Sequence, residues 1–89
     1  MKAVVTVVGQ DRTGIIAGVS GYLAEKQINI LDISQTIMQN IFTMIMLVDT
    51  KESDITAGVL SKDLKALGKA LGTEINVQHE GLFSAMHRI

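Results

Sequence analysis

Residues 2–14 read KAVVTVVGQDRTG, a run of β-branched residues that stops at a glycine and passes into a short polar turn. Over residues 2–8 both alternating faces are apolar beyond Lys2, except at Thr6. A strand that is apolar on both faces is typical of the middle of a sheet, because both of its faces must be covered. The stretch therefore predicts a central first strand that ends at Gly9.

A helix is predicted directly after the turn. Apolar residues follow with the helical period of 3.6 residues, at positions 15, 16, 19 and 23, and we expect the helix to run to about Lys26. The backbone N–H groups of its first turn have no partner within the helix. Asp11 is expected to cap them.

Two further strands form a predicted hairpin. Residues 29–39 alternate between apolar and polar side chains, which favours a half-buried edge strand. Gln39 and Asn40 offer a tight turn, since Asn tolerates the positive φ that such turns require. Residues 41–48, IFTMIMLV, then continue as an apolar strand.

A second helix and a last strand complete the pattern. From Ala57 the apolar residues step by three and four, and Gly72 is placed to end the helix; the stripe consists of Ala57, Leu60, Leu64, Leu67 and Leu71. Residues 73–80 alternate and predict another edge strand. Residues 82–89 are expected to form a short helical turn.

The order βαββαβ favours an α+β fold of the ferredoxin-like class, a four-stranded antiparallel sheet with two helices on one face. We expect the first and third strands to be central. Six apolar side chains are then expected on the sheet face without helices: Val4, Val8, Phe42, Met44, Met46 and Val48. A homodimer or a larger homo-oligomer is the simplest cover for such a face.

The composition bounds the function classes. Eighty-nine residues suit a single domain over 1–89, and the hydrophobic fraction of 47% favours a folded chain. A net charge of −1 gives no electrostatic footprint for nucleic acid or for an anionic membrane. No apolar run approaches the roughly 20 residues of a membrane span, and no export signal is recognised, so we expect a cytoplasmic protein.

The sequence offers little catalytic or metal chemistry. There is no cysteine, and His79 and His87 stand eight residues apart without a ligand spacing around them. No serine is paired with a recognisable general base, and the chain has too few aromatic residues for base stacking. We expect no enzyme, no cofactor, no metal and no nucleic-acid partner. The strand-to-helix turn at residues 9–14 remains, because free amides and the helix dipole favour an anion there.

The turn carries a resemblance to a known family. Residues 9–16, GQDRTGII, followed by Val19-Ser20 and by Asn29-Ile30, resemble the ACT domain, a regulatory module that binds amino acids. The chain has Thr13 where the family pattern has proline. It is most similar to stand-alone ACT proteins of uncharacterised function, with further similarity to the ACT domains of formyltetrahydrofolate deformylase and the glycine cleavage repressor.

This resemblance implies a ligand site shared between two subunits. The turn of one subunit would supply Gly9, Asp11, Arg12, Thr13, Gly14 and Ile15, and the second strand of its neighbour would supply Asn29 and Ile30. Amides could bind the α-carboxylate of an amino acid, while Asp11 and Asn29 could accept from its α-ammonium group. The same residues could instead serve only capping and backbone geometry.

Three functions are therefore considered. The first is a non-enzymatic sensor that binds a small amino acid at a homodimer interface and signals to another protein. The second is a dimerisation or interaction scaffold without a small-molecule ligand. The third, an acylphosphatase-type enzyme, shares the fold and would use Arg12, but the loop does not resemble that family's.

Overall fold

The computed structural model describes residues 1–79, and these form six elements in the order βαββαβ. They are β1 (Lys2–Gln10), α1 (Ile15–Glu25), β2 (Asn29–Met38), β3 (Ile41–Asp49), α2 (Ala57–Leu71) and β4 (Thr73–His79). The predicted α+β, ferredoxin-like arrangement is confirmed. The helical turn predicted for residues 82–89 lies outside the described residues.

The four strands form one antiparallel sheet in the order β2-β3-β1-β4. The prediction that the first and third strands are central is therefore confirmed. Along β1, Val7 lies opposite Met44 of β3 and Ile75 of β4. Residues opposite each other in an antiparallel pair point to the same face, so this register fixes which side chains meet the helices.

The core lies between the sheet and the two helices. Every second residue of β1 contributes to it, together with three buried residues of α1 and two of α2. The fully buried larger side chains are Val5, Val7, Ile15, Val19, Leu23, Met44, Met46, Val48, Leu60, Leu64 and Ile75. Both helices thus cover one face, as predicted.

One part of the sheet prediction is wrong. Phe42, Met44, Met46 and Val48 were expected on the face without helices, but they are buried in the core. The register pairs them with Gly9, Val7, Val5 and Ala3, which all point towards the helices. We define the open face as the opposite side of the sheet; its apolar residues on β1 and β3 are Val4, Val8, Ile41, Ile45 and Leu47.

The β2–β3 hairpin closes through the predicted two-residue turn. Gln39 has φ 49° and Asn40 has φ 71°, so both residues adopt the left-handed conformation. Two consecutive positive φ values are typical of a type I′ turn, whose twist matches that of the strands. The turn places residues 39 and 40 at the end of the sheet where β1 also ends.

The second helix begins and ends at the residues that its sequence favours. The Thr56 hydroxyl accepts a hydrogen bond of 3.2 Å from the Val59 amide and caps the helix. Gly72, with φ 72°, ends it in the left-handed conformation. In the predicted stripe Leu60 and Leu64 are buried, while Ala57 is exposed.

The two helices are joined by a hydrogen bond that the sequence did not reveal. The Tyr22 hydroxyl of α1 donates to Oδ2 of Asp63 in α2 at 2.7 Å. Burial, followed by this hydrogen bond and the charge of Asp63, raises the pKa of Tyr22 well above its usual range.

Within residues 1–79 neither helix has the length and apolar character needed to cross a membrane.

Candidate functional site

The turn between β1 and α1 is built around Gly14. This residue has φ 95° and ψ −4°, a left-handed conformation that side-chain-bearing residues rarely adopt. A Cβ atom built on Gly14 would meet no heavy atom within 4 Å. The requirement for glycine here comes from the backbone conformation, and the space above the turn is open.

The first amides of α1 have no intrahelical partner. The first hydrogen bond within the helix runs from the Gly18 N–H group to the Gly14 carbonyl, at 2.8 Å. The N–H groups of Ile15, Ile16 and Ala17 precede that bond along the chain, and no side chain caps the helix. Its first turn also holds no acidic residue. Neither a capping side chain nor a first-turn carboxylate therefore stabilises the positive end of this helix dipole.

The prediction that Asp11 caps this helix is wrong. Gly14 occupies the N-cap position, three residues beyond Asp11, and no side chain makes a capping hydrogen bond to the helix. The Asp11 amide instead donates to the Asn40 carbonyl in the β2–β3 turn, at 2.7 Å. This bond holds Asp11 beside the hairpin while its side chain is exposed. The Asp11 carboxylate thus stays at the surface of the turn.

Gly9 has a packing role. A Cβ atom at this position would lie 2.8 Å from Cγ2 of Thr73 and 2.9 Å from the Gly72 carbonyl oxygen. Real Cβ atoms essentially never come so close, so β1 can pass the junction of α2 and β4 only with glycine here. Gly9 therefore shapes the turn from beneath.

Arg12 reaches across the turn to the end of α2. A Cβ atom built on Gly72 would lie 2.9 Å from Nη1 of Arg12, so the guanidinium lies directly against that glycine. The carboxyl end of a helix carries partial negative charge, which favours a cation at this place. Thr13 is exposed, and Ile15 is buried in the core, where it anchors the start of α1.

Asn29 and Ile30 lie at the other end of the sheet. Asn29 pairs with Asp49, and Asp49 pairs with Lys2 at the start of β1. Gln10 is eight residues further along β1, which corresponds to about 26 Å at roughly 3.3 Å per residue. Within one chain the structure therefore brings together the turn residues 9–15 and separates them from Asn29 and Ile30.

Two groups that contact the turn were not predicted from the sequence. They are the Asn40 carbonyl, which accepts from Asp11, and Gly72, which receives Arg12. Both positions carry residues that tolerate positive φ, and that was the only signal available to find them. No group of three His, Cys, Asp or Glu side chains in residues 1–79 is placed to hold a metal ion. The turn thus offers backbone N–H donors, a kind of group that can bind a carboxylate.

Comparison with known proteins places this geometry in a family. The ACT domain family matches residues 2–78 of the chain. A UPF0237 protein of Methanocaldococcus jannaschii is 56% identical over 88 residues, which cover 99% of this chain and 98% of the relative. The similarity thus extends over nearly the whole length of both proteins.

Solved structures carry the same fold. An ACT domain protein from Streptococcus pneumoniae superposes with a TM-score of 0.83 at 44% identity, over 98% of both chains. A formyltetrahydrofolate deformylase from Pseudomonas putida gives a TM-score of 0.77 at 14% identity, over 88% of this chain and 28% of the deformylase. At that identity the second likeness concerns the fold alone.

Proposed function

Since the chain belongs to the ACT domain family, whose members are typically regulatory and bind amino acids, we propose that it is a cytoplasmic, non-enzymatic amino-acid sensor. Residues 1–89 form one such domain, which acts as a homodimer and passes the bound state on to a partner protein. The observation that carries the proposal is the open turn at Gly14, followed by three amides that precede the helical ladder.

The turn supplies half of a site for a zwitterion. The amides of Ile15, Ile16 and Ala17 would donate to the α-carboxylate, which the positive end of α1 also attracts. The exposed Asp11 carboxylate would accept from the α-ammonium group. Charge-assisted hydrogen bonds of both signs favour a free amino acid over a simple anion.

A second copy of the chain would complete the site through β2. This strand lies at the edge of the sheet, so another β2 can pair with it about a two-fold axis. Antiparallel pairing brings the start of one β2 to the end of the other. Asn29 of the second copy would then lie at the end of the sheet where Asn40 accepts from Asp11. Asn29 and Ile30 thus join the same site despite their separation within one chain.

A ligand-free dimerisation scaffold is the second candidate function. It is favoured by the apolar character of β2, in which every residue from 31 to 38 is exposed. The exposed apolar side chains of this strand are Leu31, Ile33, Ile37 and Met38. Edge strands of this kind are usually protected by charge or by a partner. Such a surface explains a dimer and needs no ligand.

A thermal-shift screen against the twenty amino acids, followed by calorimetry on any hit, distinguishes the two. A ligand at 100 times its Kd should stabilise the fold by about 2.7 kcal/mol. Asp11→Ala and Asn29→Ala should each abolish the shift without lowering the unliganded melting temperature, because both side chains are exposed. Asn76→Ala, an exposed polar residue of β4, is the matched control. A flat screen with a dimer present would favour the scaffold.

A further inference from the structure

The helix side of β2 is apolar but uncovered. Ile33, Gln35 and Ile37 lie opposite β3 residues of the core, so their side chains point to the side of the sheet that carries the helices. The three β3 residues opposite them are at most 3% exposed, whereas Ile33 is 45% and Ile37 is 54% exposed. The cover that the helices provide therefore stops between β3 and β2. We call Ile33, Gln35 and Ile37 the β2 strip.

The flank of α1 next to the β2 strip is also apolar. Gly18 and Tyr22 mark the other flank, because a Cβ at Gly18 would touch Leu71 of α2 and Tyr22 hydrogen-bonds to α2. Ile16 lies about 160° around the helix axis from Gly18, and it is 41% exposed. Since α1 is the helix that contacts β2, Ile16 borders the strip. The exposed apolar surface thus continues from the sheet edge onto the helix.

We propose that a second copy of the chain covers the β2 strip, with two β2 strands paired antiparallel about a two-fold axis that passes beside Gln35. In this register Ile33 lies opposite Ile37 of the second copy, and Ile37 lies opposite its Ile33. The inference rests on the proposed homodimer and adds the register in which its two copies meet.

The other registers leave an isoleucine without an apolar partner. Opposite residues must point to the same side of the sheet, so the axis passes beside one residue of β2. An axis beside Ser34 places Ile33 opposite Gln35, and an axis beside Thr36 does the same to Ile37. An axis beside Ile33 leaves Ile37 beyond the end of the other strand. Only the axis beside Gln35 pairs both isoleucines, and the two glutamine amides can then bond to each other.

The same register gives the partner's contribution to the turn a defined place. From Gln35, β2 extends six residues back to Asn29 but three forward to Met38, and the irregularity between Ile30 and Asp32 takes up one of the six. Asn29 of the second copy therefore lies about two residues past Met38, level with the 39–40 turn. The Asn40 carbonyl of that turn accepts from Asp11. An axis beside Ser34 would instead leave Asn29 opposite Met38.

Three single-cysteine variants test the register, because the chain contains no native cysteine. A disulfide needs the two Cα atoms within about 7 Å of each other. Gln35→Cys should form a covalent dimer under mild oxidation, since each cysteine faces its own copy across the axis. Ser34→Cys and Thr36→Cys, at equally exposed positions, should form little, because their copies lie about 8 Å apart. A covalent dimer formed mainly by either of these two variants would overturn the register.

Paired charges provide a second readout that does not depend on disulfide geometry. Ile33→Lys should weaken the dimer by about tenfold or more in sedimentation equilibrium. Adding Ile37→Glu to the same chain should restore most of the affinity, because positions 33 and 37 face each other twice across the axis. Adding Gln35→Glu instead is the matched control and should not restore it.

Recovery with Gln35→Glu but not with Ile37→Glu would place the axis beside Ser34 and overturn the inference. A wild-type dimer that none of these charges weakens would overturn it as well, since the interface would then lie away from β2. A wild-type monomer would refute the proposed homodimer itself, so the two failures can be told apart.

Discussion

At the residue scale, Gly9 allows a close backbone approach that any side chain would prevent. Its Cα lies against the junction of α2 and β4, and that junction also receives Arg12 from the turn. A methyl group at Gly9 would press on the Gly72 carbonyl and on the Thr73 backbone, neither of which can yield as a flexible side chain would. The close approach thus fixes where the β1–α1 turn begins relative to α2.

We therefore expect Gly9→Ala to lower the free energy of unfolding by about 1–3 kcal/mol, as overpacking in a core does. Gly21→Ala is the matched control, because a Cβ at this exposed position of α1 meets nothing within 4 Å. It should stabilise the protein by up to about 1 kcal/mol through helix propensity. Urea denaturation measures both, and a Gly9→Ala variant as stable as the wild type would refute the packing role.

Tyr22 predicts a dependence of stability on alkaline pH. Its pKa is raised in the folded protein, first by burial and then by the bond to Asp63, so folding favours the neutral phenol. Below the usual tyrosine pKa of about 10 this contribution is fully present. Above that pH the unfolded chain ionises first, so the free energy of unfolding falls as pH rises, by at most about 1.4 kcal/mol per pH unit.

Tyr22→Phe should lack this slope, and urea denaturation of both proteins between pH 8 and pH 11 measures the difference. Lysine titration acts on both and cancels in the comparison. Because the chain has one tyrosine and no tryptophan, tyrosinate absorbance reports Tyr22 alone. Parallel pH profiles of the two proteins would contradict the prediction.

At the residue scale, the position of the turn could be predicted from the sequence, but the roles of its residues could not. The spacing of Gly9, Asp11 and Gly14 predicted a turn between the first strand and the first helix, and the structure has one there. The prediction that Asp11 caps the helix was wrong because the left-handed φ of Gly14 adds a further bend before the helix begins. A propensity for caps cannot reveal which residue of a turn adopts positive φ, since the Asp11–Asn40 bond that holds the turn is a long-range contact.

At the scale of an element, the orientation of β3 was the hardest feature to predict from the sequence. In residues 41–48 three of the four residues on one face are apolar, and all four on the other are, so alternation gave little indication of which set faces the helices. The pairing with β1 decides it, because Met44 and Met46 lie opposite Val7 and Val5, which belong to the core that the helices cover. The amphipathic second helix was readily predicted, because its apolar and charged positions separate cleanly.

That helix supports a prediction of stability. Leu64 is fully buried on the core side of α2. Leu64→Ala should therefore lower the free energy of unfolding by about 2–5 kcal/mol, through lost burial and the cavity left behind. Val59 lies on the same helix but is 48% exposed, and Val59→Ala should change stability by less than about 0.5 kcal/mol. Thermal or urea denaturation measures both changes. Similar losses for the two variants would mean that α2 presents a different face to the sheet.

At the scale of the whole molecule, the proposed site and the proposed dimer depend on the same edge. The turn and Asn29 lie at opposite ends of one chain's sheet, so a site that uses both needs two chains. In the proposed dimer, antiparallel pairing of two β2 edges would bring them together. Disrupting β2 should therefore weaken association and amino-acid binding in parallel, whereas a scaffold without ligand would lose association only.

Ile37→Lys tests this coupling, because its side chain lies on β2 and is 54% exposed, so a lysine there should leave the monomer folded. A charge on an edge strand opposes pairing with a second edge. We expect sedimentation equilibrium to show a dimer for the wild type and a shift towards monomer for the variant at equal concentration. Val59→Lys, an exposed apolar residue of α2, should remain dimeric. If Ile37→Lys stayed dimeric, the interface would lie elsewhere, and Asn29 of a second copy could not reach the turn along β2.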